Sequence, residues 1–254
     1  MSQTERRPFV EALRRGKEAA FGHGEYVEQE SFIRASEIRM LAARATIGPG
    51  VSVLDLCCGI AGPGRFLARK FGCSYVGVDS SDAAIAVAAE RAYGLPCRFE
   101  VAHVPPLPRG TFEVVLLLET MLAFPDKESL LDGVVRALPA GGRFAFTLEE
   151  GMPLTESERA RMPAADTVWL TSSDEMYTLL AKRGLVVRWV EEWSESHRQV
   201  AQALADVYAA DSTSIASQIG RGALAELLVA HRLWSEWLST GRVRMFAFVA
   251  ERSE

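Results

Sequence analysis

Short apolar segments alternate with helix-like segments between residues 51 and 149, and this alternation constrains the fold more than any other feature. Five segments have the length of a strand and are rich in Val, Leu and Phe: 51–57, 74–79, 98–102, 111–119 and 141–149. Because they are apolar along their whole length, they are typical of parallel strands that helices cover on both faces. The pattern predicts an α/β fold with an open, doubly wound, mostly parallel sheet.

Helical patterns lie between these strands and continue after them. They occur at 63–71, 83–94, 128–138 and 172–185. Residues 150–172 contain two prolines and several charges, so we expect an irregular segment there. Two further strands are predicted at 186–193 and 242–252, and the stretch between them, 194–239, is helical in composition.

The same patterns predict three parts of the chain. Residues 1–45 form an N-terminal helical lid, in which 1–20 is a charged helix. Residues 46–193 together with 241–254 form the α/β core. Residues 194–240 form a helical cap, which we expect to cover one edge of the sheet because it is inserted before the last strand.

Composition and charge exclude several classes of protein. With 254 residues, of which 48% are apolar, the chain can fill one well-packed core. The net charge of −5 and the lack of a basic run argue against a nucleic-acid partner. The N-terminus has no signal peptide pattern, and the longest apolar run, 114–118, is too short to span a membrane. We therefore expect a cytoplasmic protein with no membrane partner.

The four cysteines do not have the spacing of a metal site. Cys57 and Cys58 are adjacent, and Cys73 and Cys97 stand alone. We expect four reduced, structural thiols and no bound metal.

A glycine-rich turn follows the first predicted strand, with Gly59, Gly62 and Gly64 close together. Ligands of a doubly wound sheet bind beyond the carboxyl ends of its strands, where this turn lies. Glycines allow close approach to the backbone, and the following helix offers free N–H groups. Pro63 suits the first turn of that helix. The turn therefore predicts a nucleotide-type pocket.

Two acids narrow the choice of nucleotide. The glycine fingerprint of dinucleotide-binding proteins requires glycine at position 61, but this chain has Ala61 there. The fingerprint also assigns no role to an acid at the position of Asp55. An acid inside the first strand is better suited to a cationic ligand head. Asp79 ends the second strand, where a carboxylate can accept both hydroxyls of a ribose.

On these residues the chain resembles the class I S-adenosylmethionine-dependent methyltransferases. DLCCGIAG (55–62) looks like their first motif, and Asp79 looks like their ribose-binding acid. FEVVLLLETMLAFPD (112–126) and LPAGGRFAFT (138–147) are similar to the segments around their fourth and fifth strands. The nearest likeness is to small-molecule methyltransferases of the ubiquinone, sarcosine and natural-product kind. It implies seven strands, the last antiparallel beside the fifth, with a helical cap over the acceptor.

The resemblance implies a site for S-adenosylmethionine and a neighbouring acceptor site. The cofactor-binding candidates are Tyr26, Asp55, Cys57, Gly59, Ala61, Gly62, Asp79, Ser80, His103, Val104 and Glu119. The catalytic candidates are Glu119, His231 and Tyr26. Leu227, His231, Trp234 and Leu238 share one helical face, which suits either simple packing or an aromatic acceptor pocket.

Some positions depart from the family pattern. The acid that often holds the adenine amino group is absent, and His103 or the Val104 backbone takes its place. Ala123 stands where the family often has a histidine base. This slightly favours a nitrogen or carbon acceptor over a hydroxyl, or a base supplied by the cap. Glu149 or Glu150, after the fifth strand, could bind a cationic substrate.

The sequence therefore predicts methyl transfer from S-adenosylmethionine to a small, largely apolar acceptor, plausibly in natural-product biosynthesis, by a protein that could form a homodimer. Three alternatives stay open. A cyclase-like enzyme would bind the same cofactor without methylating. An NAD-dependent oxidoreductase shares the glycine turn and Asp79. A non-catalytic module would keep only the pocket.

Overall fold

A seven-stranded sheet organises the chain, and the computed structural model describes residues 11–253 of it. The strands are β1 (Ser52–Leu56), β2 (Ser74–Asp79), β3 (Cys97–Val101), β4 (Val114–Leu117), β5 (Arg143–Glu150), β6 (Leu185–Glu192) and β7 (Arg244–Arg252). Their order is β3-β2-β1-β4-β5-β7-β6. The first five pair in parallel, and β7 lies antiparallel between β5 and β6. The predicted fold class is confirmed.

Burial along the strands follows their position in the sheet. All four residues of β4, and the six central residues of β5, are buried, because helices cover both faces there. The edge strand β6 instead alternates buried and exposed residues, and β3 is largely exposed. The expectation that the strands are apolar on both faces is therefore wrong for the two edges, where one face meets solvent.

Within residues 11–253, ten α-helices accompany the sheet. They are α1 (Glu11–Phe21), α2 (Ala35–Arg44), α3 (Gly62–Phe71), α4 (Asp82–Arg91), α5 (Lys127–Ala137), α6 (Glu156–Arg161), α7 (Ser173–Ala181), α8 (Ser194–Ala210), α9 (Ser212–Ile219) and α10 (Arg221–Thr240). The predicted helix at 1–20 is α1 from Glu11 onward, and residues 1–10 lie outside the described residues.

Two apolar layers sandwich the sheet because successive residues of a strand point to opposite faces. Val53 packs in one layer with α2 and α3, whereas Leu54 packs in the other with α5 and α7. A third apolar cluster joins α1 to α8, α9 and α10 through Leu13, Leu204 and Leu224. The N-terminal helix therefore packs on the late helices rather than on the sheet.

The segment predicted to be irregular is partly helical. α6 begins with a capping box in which the Thr155 hydroxyl and the Glu158 carboxylate satisfy each other's backbone N–H groups. Val168 and Leu170 pack against Trp237 of α10. The sequence Thr-Glu-Ser-Glu at 155–158 carried this signal, so a local rule could have found the helix.

No helix within residues 11–253 combines the length and the apolar content needed to cross a bilayer.

Candidate functional site

The turn after β1 adopts a backbone that few side chains tolerate. Cys57, Gly59 and Ala61 all have left-handed φ angles, of 58°, 55° and 54°. A Cβ at Gly59 would meet nothing within 4 Å, so the space above it is open. Glycine at this position therefore serves the left-handed turn and leaves room for a ligand.

The other two glycines of the turn serve internal packing. A Cβ at Gly62 would lie 2.3 Å from the Val27 carbonyl oxygen, and one at Gly64 would lie 1.9 Å from Cζ of Tyr75. Gly62 thus lets the segment before α2 close directly onto α3. Gly64 lets Tyr75 of β2 pass beneath the same helix.

The Asp79 carboxylate joins the turn to the end of β2. One oxygen accepts the backbone N–H of Gly59 at 2.8 Å, and the other accepts that of Ser81 at 2.9 Å. Each oxygen keeps a second lone pair for a further donor. The side chain that caps α4 is Ser81, so Asp79 is not simply the helix cap.

Asp55 is buried inside β1 and is 3% exposed. Its Oδ2 accepts the Tyr75 hydroxyl at 2.6 Å. Burial raises the pKa of Asp55 to about 7, although the bond from Tyr75 favours the charged form. Asp55 is therefore a buried acid at the floor of the site. It is not a solvent-exposed helix cap.

A first cavity, of about 160 Å³, lies between this turn and the segment before α2. Five of the predicted cofactor residues line it: Asp55, Cys57, Gly59, Gly62 and Glu119. Residues 28–31 form its opposite wall, held there because the Glu28 carboxylate pairs with Arg65 at 2.5 Å and Arg91 at 2.9 Å. We call it the turn cavity.

The remaining predicted residues are not among those that line the turn cavity. Tyr26 packs on Phe21, with ring centroids 5.6 Å apart, and is directed into the cluster of α1 and the late helices. Ala61 is fully buried, and Ser80 and His103 are exposed. Val104 packs against the layer that contains α5 and α7.

A second cavity, of about 230 Å³, lies between the sheet and α10. It shares Glu30, Ser31 and Glu119 with the turn cavity, so the two spaces meet at these residues. Its other lining residues are Phe32, Leu122, Glu149, Ala230, His231, Trp234, Leu238 and Met245. We call it the cap cavity. Three of the four residues on the predicted helical face of α10 line it, which favours the pocket over simple packing.

A buried ion-pair cluster fixes Glu119, which has a left-handed φ of 51°. Its Oε1 lies 2.8 Å from Nδ1 of His197 in α8, and Nε2 of the same ring lies 3.4 Å from Glu37 of α2. Burial alone disfavours a charged imidazole, but the two carboxylates outweigh it and raise the pKa of His197 to about 10. Local sequence patterns give no sign of this cluster, since the partners of His197 are 78 and 160 positions away along the chain.

Glu149, near the end of β5, is the second buried acid of the site. No cation forms an ion pair with it as His197 does with Glu119. It is 3% exposed, and no side chain donates a hydrogen bond to its carboxylate, although the backbone N–H groups of Glu149 and Leu122 favour the charged form. Burial, reinforced by the negative charge of Glu119, raises the pKa of Glu149 to about 8. The neighbouring Glu150 is only partly buried and does not line the cap cavity.

His231 enters the cap cavity as a neutral ring. Its Nδ1 lies 2.6 Å from the Leu227 carbonyl, which can only accept, so Nδ1 carries the proton and Nε2 is the basic atom. Burial lowers its pKa. The ring stands edge-on to Phe32, with centroids 5.7 Å apart.

Comparison with known proteins decides the family. A methyltransferase-domain family model matches residues 53–142, from β1 to the turn before β5. Residues 53–142 therefore form a methyltransferase domain, and the comparisons support the class I S-adenosylmethionine-dependent kind. Phosphoethanolamine N-methyltransferase 1 of Arabidopsis thaliana is 30% identical over 180 residues, which are 69% of this chain and 33% of that protein. This methyltransferase chain thus spans about a third of that relative's length.

Solved structures show the same fold at low identity. A cyclopropane synthase of Mycobacterium tuberculosis has a TM-score of 0.82 at 11% identity and covers 99% of this chain and 98% of its own. The cyclase SpnF has a TM-score of 0.71 at 20% identity and covers 95% of this chain and 93% of its own. At these identities the likeness concerns the fold alone.

Proposed function

We propose that this methyltransferase binds S-adenosylmethionine in the turn cavity and transfers its methyl group to a small, largely apolar acceptor in the cap cavity. The observation that carries the proposal is that the two cavities meet at Glu30, Ser31 and Glu119. The two cavities are therefore neighbours, as transfer from a donor in one to an acceptor in the other requires.

The residues of the turn cavity, together with Asp79 at the adjoining end of β2, fit this cofactor. Asp79 has lone pairs left for the ribose hydroxyls, and the space above Gly59 is open to a ligand. Asp55 lies on the floor, where a cationic head would stabilise its charged form. When bound, S-adenosylmethionine supplies a methyl group on a sulfonium, which a nucleophile displaces in line.

The acceptor side is built from apolar and aromatic side chains of the cap and of the segment before α2. Phe32, Trp234 and Leu238 form walls that exclude water and orient a small organic molecule. Ala123, where the family often has a histidine, is exposed and lines neither cavity. Its replacement therefore removes no group from the proposed acceptor site.

The phosphorylated acceptor named for the plant relative does not suit the cap cavity. Phosphate is recognised by Arg, Lys and N–H donors. None of the residues that line the cap cavity, all of which lie in the described part of the chain, is a lysine or an arginine. We propose instead an apolar natural-product acceptor.

The four cysteines are free thiols, which supports action in the cytoplasm.

Calorimetric titration tests the cofactor half of the proposal. S-adenosylmethionine, S-adenosylhomocysteine and NAD are titrated into the wild type, into Asp79→Ala and into Asp82→Ala. We expect the first two to bind to the wild type and to D82A, whose exposed acid lies outside the site, and to bind at least tenfold more weakly to D79A. Binding of NAD alone would overturn the proposal.

Product mass tests the transfer itself. Incubation with an acceptor panel is followed by mass spectrometry of the acceptor and by the release of S-adenosylhomocysteine. A gain of one methyl group with matching release of S-adenosylhomocysteine supports methyl transfer. An acceptor that is rearranged at unchanged mass, with the cofactor intact, would favour the cyclase-like alternative.

A further inference from the structure

Of the acidic side chains around the cap cavity, some have a cationic partner and one does not. Three carboxylates line it, from Glu30, Glu119 and Glu149. Glu30 pairs with Lys17 at 2.5 Å, and Glu119 pairs with His197. Glu149 is left with no side-chain hydrogen bond or ion pair on either oxygen.

The nearby Lys127 does not form an ion pair with Glu149. Lys127 of α5 is close enough for the charge of Glu149 to raise its pKa, against the stronger lowering by burial. Its ammonium group, however, donates to the carbonyls of Phe124 and Trp169, at 2.9 and 2.8 Å. A buried carboxyl group without a partner is costly, so a ligand that supplies a donor would be favoured at this place.

The walls around Glu149 suit a positively charged nitrogen on an apolar body. Phe32 and Trp234 present aromatic surfaces to the same cavity, and such rings attract ammonium groups. His231 is neutral and adds no competing positive charge. A hydroxyl acceptor would use neither the negative charge nor this attraction.

We propose that the acceptor is an amine, and that Glu149 binds its nitrogen and removes its proton. This inference rests on the proposed function and names the substrate class of the same site. The proton moves from the acceptor ammonium to a Glu149 carboxylate oxygen, which leaves a lone pair on nitrogen. That lone pair forms the new N–C bond to the methyl carbon as the C–S bond breaks, and the C–S electron pair stays on sulfur. The positive charge passes to the methylated nitrogen, and Glu149 then returns its proton to solvent.

The proton transfer is well matched. An alkylammonium has a pKa of about 10, so its proton would move uphill by about six pKa units to an ordinary carboxylate. Burial, which raises the pKa of Glu149 to about 8, makes this difference smaller, although a bound ammonium lowers the pKa again. The groups that face Glu149 are Glu119 at the end of β4, His197 of α8, Lys127 of α5 and the neutral His231 of α10.

Binding of matched amines and alcohols tests the inference without relying on turnover. The protein is saturated with S-adenosylhomocysteine and titrated with benzylamine and benzyl alcohol, 2-phenylethylamine and 2-phenylethanol, and tryptamine and tryptophol. We expect at least one amine to bind at least tenfold more tightly than its alcohol. Glu149→Gln should abolish this preference, whereas Glu150→Gln, the same change one residue along the strand, should keep it.

Proton counting gives a second readout. Below about pH 8 the free amine and Glu149 each carry a proton, but their complex holds only one between the two groups. Titration in buffers of different ionisation enthalpy should therefore show release of up to one proton per amine bound by the wild type and E150Q, and none by E149Q.

Other outcomes of these titrations would overturn either the inference alone or the proposed function as well. Equal binding of amines and alcohols, binding of no amine, or an amine preference that survives in E149Q would overturn the inference while the proposed function stands. Failure of the wild type to bind S-adenosylhomocysteine would overturn the proposed function and the inference together. A thermal melt of each variant confirms that it is folded.

Discussion

The unpaired carboxyl of Glu149 should make the protein less stable as the pH rises, and Glu149→Gln should remove that effect. The pKa of Glu149 is about 8 in the folded protein against an ordinary value of 4.5. Between these values the folded state binds more protons than the unfolded state, so the free energy of unfolding falls as the pH increases. Below about pH 4.5 both states are protonated and the effect vanishes.

The size of the effect follows from the same two values. A difference of about 3.5 pKa units, at 1.36 kcal/mol per unit, corresponds to roughly 5 kcal/mol of lost stability once the pH exceeds about 8. Glutamine keeps the shape of the side chain and cannot ionise. Since glutamic acid is nearly neutral in the folded protein at low pH, the two proteins should be about equally stable there.

Urea unfolding of the wild type and E149Q, from about pH 4.5 to about pH 9, measures this difference. The contribution of Asp55, whose pKa is also raised, is common to both proteins and cancels in the comparison, whereas His197 interacts with Glu149, so the measured difference includes that interaction. We expect the variant to gain several kcal/mol over the wild type as the pH rises. A difference that does not change with pH would refute the reasoning, because it would mean that Glu149 ionises normally when buried.

Two further predictions concern the framework of the site. His197→Gln should leave two buried carboxylates without their cation and cost about 3–5 kcal/mol near neutral pH. Because the pKa of His197 is raised, this contribution is complete below about pH 6.5 and is lost as the pH rises through about 10, so equal stability of variant and wild type at pH 6 in urea would contradict it. Gly64→Ala should cost about 1–3 kcal/mol by overlap with Tyr75, whereas Gly48→Ala, whose Cβ meets nothing within 4 Å, should be nearly neutral. Thermal melts compare the two, and equal losses would show that the overlap relaxes freely.

Local patterns were sufficient for the elements and for the position of the turn. Strand-length runs rich in apolar residues predicted all seven strands within a few residues; in the central strands burial on both faces makes every position apolar, and at the edges β3 and β6 the runs were still long enough to recognise. The sequence also predicted a site at Asp55, Gly59 and Asp79 from their positions at the strand ends, and the structure brings Asp79 onto Gly59 there; their cofactor role stays a prediction.

The roles of individual residues needed the folded structure. Gly62, a predicted cofactor residue, lines the turn cavity and also makes room for the Val27 backbone, and Gly64 of the same turn makes room for Tyr75. Tyr26 was predicted in the site and instead packs under the cap. These outcomes depend on which distant segment lies against each residue, and a single sequence carries no mark of that.

The sequence by itself determined the order of strands and helices, the glycine turn and the acids at the strand ends, because those depend on periodicity and on local backbone geometry. Only the tertiary structure decided that Glu119 is paired with His197 and that Glu149 is not. Both acids end buried strands and look alike in the chain. Their difference lies in which cation a separate helix brings within 3 Å, and contact between distant segments is set by packing rather than by sequence neighbourhood.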